Sequence, residues 1–189
     1  MTMAPRLRKF ALTAHVISSV GLLGAIAGFL ALAVAGLTSP HDQMVRAAYL
    51  AMDLIARFVI LAFAFASLLT GVIQSVGTPW GLFRHYWVLV KLLLTVFATI
   101  ILLVKMELIG YAARLSVETA LSRADLRVAG IQLVIHAAGG LLVLLVPAVL
   151  SIYKPPGMTR YGWRKQHEQP ALSQSTLNSR AADFQARHY

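Results

Sequence analysis

Four long apolar runs, almost uninterrupted by charge, constrain this chain more than any other feature. They fall at about residues 10–37, 47–76, 86–104 and 128–153. A bilayer core ~30 Å thick needs about 20 apolar residues in a helix rising ~1.5 Å each. All four runs are of that order. Lipid offers no partners for open backbone groups, so each span must be helical. A β-barrel would need short alternating strands, which these runs exclude. The expected fold is therefore all-α, an integral membrane bundle of four transmembrane helices. Composition excludes the soluble alternative. Charged residues make up 13% of the 189, against ~25% in an ordinary soluble domain.

The connectors are short and recognisable. Thr38-Ser39-Pro40-His41-Asp42 is a turn with proline as breaker. Gly77-Thr78-Pro79-Trp80-Gly81 is another, with Trp80 and Trp87 suited to an interfacial aromatic belt. The third connector, Lys105 to Arg127, has apolar positions Leu108, Tyr111 and Leu115 at helical spacing. It reads as a short interfacial helix, with a continuation of the third span as the alternative. Lys154-Pro155-Pro156-Gly157 ends the fourth span. The division is thus a basic N-terminus (1–9), a four-span domain (10–153) and a basic tail (154–189) expected to be disordered.

Lys and Arg near the spans set the orientation. With the N-terminus inside, the inner side holds Arg6, Arg8, Lys9, Arg84 and the tail residues Lys154, Arg160, Arg164 and Lys165. Arg46, Lys105, Arg114, Arg123 and Arg127 fall outside. Both termini are therefore expected in the cytoplasm, in a cell's inner (plasma) membrane. The first run is about twice the ~7–15 residues of a signal-peptide core, so it reads as an uncleaved span. The net charge of +10 points to anionic lipid at the tail rather than nucleic acid.

Intramembrane polar groups are where function is sought, since a charge at the bilayer centre costs ~2.5–3.5 kcal/mol on insertion scales. Asp53 and Arg57, four apart on one helical face, read as a self-neutralising pair, with a proton relay as the alternative. His136 lies where it could approach them, beside Ala137, Ala138, Gly139 and Gly140, which allow close helix approach. His15 shares a face with Ser18 and Ser19, and Gly24 and Gly28 stand at GxxxG spacing as a packing surface or room for a flat ligand. Lys91, four after Trp87, either snorkels to the interface or turns inward, where a neutral amine could ligate iron. Zero cysteines exclude thiolate metal sites and c-type haem attachment. No metal-binding histidine spacing is present, and nothing supports a Ser–His–Asp hydrolase.

The stretch His15-Val16-Ile17-Ser18-Ser19-Val20-Gly21-Leu22-Leu23-Gly24-Ala25 resembles the first helix of bacterial copper-resistance-D-like membrane proteins. Trp87-x-x-x-Lys91 is similar to a Trp…Lys signature in the third helix of that group. The group includes the HemJ-type protoporphyrinogen oxidase, which binds b-type haem through a helix-one histidine and a helix-three lysine. Within it, residues 80–87 and 153–157 resemble those of a bacterial integral membrane family of unknown function. The resemblance implies His15 and Lys91 as haem b ligands. It departs at Leu22 and Leu23, where relatives often carry Trp, and at Lys105, where they often carry His. The oxidase activity is therefore not carried over.

Three readings follow. The first is a non-enzymatic or accessory membrane protein that packs with lipid, with a second copy, or within a larger membrane complex. The alternative is a haem-binding redox protein using His15 and Lys91. A second alternative is a small proton-coupled transporter subunit using Asp53, Arg57 and His136, which would need a homodimer.

Overall fold

In a computed structural model, residues 3–77, 86–117 and 123–153 are described, together with Thr159, Trp163 and Arg164. Most of the tail, the Trp80–His85 stretch and the connector at 118–122 lie outside the described residues. All regular structure among the described residues is helical, as the apolar runs require.

Helix α1 (Pro5–Thr38) opens with proline at its first position and stops before Pro40. Proline lacks the N–H that a first-turn residue does not need, and it disfavours helix in the residue before it. Helix α2 (Asp42–Leu54) starts with an acid facing the positive end of its dipole. It runs without a break through a π-helical segment (Ile55–Ile60) into α3 (Leu61–Gly77). Helix α4 covers Tyr86–Val117 and α5 covers Arg123–Tyr153. Four helical stretches, 30 to 36 residues each, are long and apolar enough to cross a membrane. This is the fold of a four-helix integral membrane protein.

The third connector departs from the first expectation. No separate interfacial helix forms, because α4 continues unbroken past Lys105 to Val117. Ile109, Gly110, Ala112, Ala113 and Ser116 are all buried there, and α4 packs on both α2 and α5. The helices also begin earlier than the apolar runs. α1 takes in Arg6, Arg8 and Lys9, and α2 takes in residues 42–46.

The spans alternate in direction around a square. α1 packs on α3 and α5, α4 packs on α5, α2 and α3, and the α1/α4 and α3/α5 diagonals make no close backbone approach. The core is built from small residues, with Ala33, Ala48, Ala56, Ala64 and Ala112 all buried. Small residues let backbones approach where lipid removes the hydrophobic drive between helices. Large apolar side chains such as Phe10, Phe58, Leu69 and Ile152 point outward instead, as a lipid solvent demands. Hydroxyls are satisfied within their own helices: Thr70, Ser75, Thr95 and Thr99 donate to the carbonyl four residues back.

Candidate functional site

Helices α1 and α3 meet along a polar seam. Gln74 donates to the Ala11 carbonyl at 2.8 Å. One turn on, His15 Nδ1 lies 3.1 Å from both the Ser67 carbonyl and the Thr70 hydroxyl. A further turn on, the Ser19 and Ser67 hydroxyls are 2.9 Å apart. The seam is positioned by two matching periods: residues 11, 15 and 19 on α1, and 67, 70 and 74 on α3.

This geometry fixes the His15 tautomer. The Ser67 carbonyl can only accept. Thr70 has one hydroxyl proton, and it goes to the Ala66 carbonyl at 2.6 Å, so its oxygen also accepts toward His15. Nδ1 must therefore carry the hydrogen, and a neutral ring holds its lone pair on Nε2. No hydrogen bond to Nε2 is made among the described residues. Gly71 completes the seat: a Cβ there would stand 3.1 Å from His15 Cε1. The ring edge rests close against the glycine, where a side chain would crowd it.

Lys91 is on α4, diagonally across from α1. Its Nζ lies 5.2 Å from the centroid of the Trp87 ring, the arrangement of a cation over an aromatic face.

Asp53 and Arg57 form the expected ion pair, Nε to Oδ1, at 2.8 Å. Arg57 lies inside the π-helical segment. The pair docks on α4 at Gly110, where a Cβ would meet Arg57 Nη2 at 2.8 Å and Arg114 Nη1 at 3.9 Å. The Arg57 side chain is 46% exposed and that of Asp53 23%. His136 does not join the pair. Its Nδ1 donates to the Gln132 carbonyl at 2.6 Å, and the ring lines a cavity that Asp53 and Arg57 do not reach. The relay set of the transporter reading is thus split between two places.

Gly24 and Gly28 are not a packing surface within the chain. Both are exposed, and a Cβ at either would meet nothing. The close glycine contacts are elsewhere: Gly21 against Phe63, Gly36 against Tyr49, and Gly130 against the Tyr49 hydroxyl and Leu37. Sequence reasoning passed over Ser67, Thr70 and Gln74, although their 3- and 4-residue spacing is a polar stripe on an otherwise apolar helix. It also passed over Tyr49, which no local pattern marks.

Among the described residues, no group of three or more His, Cys, Asp or Glu side chains is placed to hold a metal ion. Set beside known proteins, the chain matches no family model, no curated protein and no solved structure. Its function is therefore read from its own geometry.

Proposed function

We propose that this is a multi-pass protein of the plasma membrane, with both termini in the cytoplasm, that binds b-type haem through His15, with Lys91 on the diagonal helix as the second candidate ligand. The observation that carries the reading is the His15 seat. A metal-ligating histidine commonly donates its other ring N–H to a carbonyl, which fixes the tautomer and aims the free nitrogen. Nδ1 is anchored in that way on Ser67 and Thr70, and Nε2 keeps its lone pair. The donor set suits haem iron: an oriented imidazole, and an amine on the diagonal helix. To ligate, Lys91 must lose its proton and leave Trp87; while protonated it is a cation beside the ring. When bound, the haem would supply one-electron chemistry. The chain's own residues hold the imidazole, leave room for its edge at Gly71, and set the charge nearby. The resemblance at His15 and at Trp87-x-x-x-Lys91 supports the same pair. The basic residues Arg6, Arg8 and Lys9 on the first turns of α1 support the orientation, with the basic tail against anionic lipid.

The test is an absorption spectrum of protein purified from haem-supplemented cells. Wild type is expected to show a Soret band. His15→Ala loses it, and Lys91→Ala keeps haem but changes its spin state. A flat wild-type spectrum overturns the proposal and leaves an accessory protein whose work is done with partners or lipid. The transporter reading has less support, since His136 stands apart from the Asp53–Arg57 pair.

A further inference from the structure

A cavity of about 290 Å³ lies within the bundle, bounded by α1, α3, α4, α5 and the end of the π-helical segment. It does not include His15 or Lys91. Its α4 wall runs from Phe97 to Ile109 and its α5 wall from Leu133 to Leu144, a length of roughly 17 Å at about 1.5 Å per residue. The cavity is long and its walls are almost wholly apolar, a shape and lining that suit an extended hydrocarbon chain. Gly139 and Gly140 keep it open, since a Cβ at either would meet nothing. Phe97 and Ile135, 55% and 62% exposed, stand where it meets the surrounding lipid.

The lining is apolar except for Thr99, Lys105 and His136. Thr99 spends its proton on the Thr95 carbonyl. Lys105 and His136 lie toward the same end, because α4 and α5 are antiparallel. Lys105 is half-buried, and no acid or hydrogen-bond acceptor partners it among the described residues. A cation beside an apolar cavity without a counter-charge is costly. His136 donates from Nδ1 to the Gln132 carbonyl, so in the neutral ring its Nε2 can only accept.

We propose that this cavity binds a single-chain fatty acid, entering from the bilayer, with its carboxyl group at Lys105 and His136. The chain fills the apolar length toward Leu144 and Leu22. One carboxyl oxygen pairs with the Lys105 ammonium, and the single acid proton is shared between the head and His136 Nε2. A methyl ester has neither the charge nor the proton, so it is a poor ligand.

The test is equilibrium binding of radiolabelled palmitate to the full chain in phosphatidylcholine nanodiscs, with empty nanodiscs as background. Saturable binding is expected. Lys105→Gln should weaken it about tenfold, the worth of one charged hydrogen bond in a dry site. Gly140→Leu, which fills the cavity, should abolish it, while Lys9→Gln on the first turns of α1 leaves it unchanged. Methyl palmitate should compete at least tenfold less well than palmitate. All variants are compared only where they elute as the same monodisperse species as wild type. No saturable binding, equal competition by the ester, or unchanged affinity in a monodisperse Lys105→Gln protein would each overturn the proposal. The haem spectrum reads a different site, so either result can fail without the other.

Discussion

Tyr49 shows how far one side chain can set the packing of this protein. It is 1% exposed, its hydroxyl donates to the Leu126 carbonyl at 3.3 Å, and its ring lies on Gly36 while the hydroxyl touches Gly130. Three helices meet on it. Gly130→Ala would push a methyl into the hydroxyl, at a cost of about 1–3 kcal/mol for overpacking. Tyr49→Phe removes one hydrogen bond, about 1 kcal/mol. In the double variant the clash with the hydroxyl is gone and only the Leu37 contact at 3.2 Å remains, so the combined loss should fall short of the sum by at least ~0.5 kcal/mol. Thermal unfolding in detergent measures all three. Strict additivity would mean that the contact does not limit the approach of α2 and α5. At this scale the sequence was partly legible. His15 and the Asp53–Arg57 pair stand out because charge and imidazole are rare in apolar runs. Tyr49 does not, since a tyrosine in a membrane helix is unremarkable until its neighbours are known.

The second span is the least regular element. Its π-helical segment, Ile55–Ile60, carries one residue more than an α-helix would over the same length. The extra residue lets α2 keep its register on α4 while α3 keeps its own on α1. Deleting Phe58, which is 71% exposed inside the segment, should convert it to α-helix and leave both registers intact. Deleting Leu69, 64% exposed in regular α3, should turn the rest of that helix by about 100° and pull Thr70 and Gln74 off α1. Folded yield by size-exclusion chromatography separates the two, the first near wild type and the second lost to aggregation. Equal loss would show that the π turns do more than absorb a residue. The bulge was not legible because its cause lies in two neighbouring helices, not in residues 55–60. The unbroken course of α4 was only half legible for a like reason: Lys105, Glu107 and Arg114 suggest an end to the span, while burial of Ile109, Ala112 and Ser116 keeps the helix going.

At the level of the whole molecule, an even number of spans puts both ends of the bundle on one side and the α1–α2 turn on the other. The chain has no cysteine, so single substitutions report sidedness directly. Ser39→Cys should react with a membrane-impermeant maleimide in intact cells, and Ala4→Cys only after permeabilisation. The reverse pattern would invert the orientation and move His15 to the outer half. The apolar runs by themselves determined that the chain is a bundle of four helices, because lipid leaves the backbone no other way to bond and each run has the length of a bilayer. The order of the helices around the square, the α1–α3 seam that fixes the His15 tautomer, and the cavity shared by Lys105 and His136 were decided only by tertiary structure. Lipid is as apolar as the helix faces, so hydropathy cannot tell an inward face from an outward one. Packing of small residues and the pairing of a few polar groups make that choice, and both depend on partners far away in the chain.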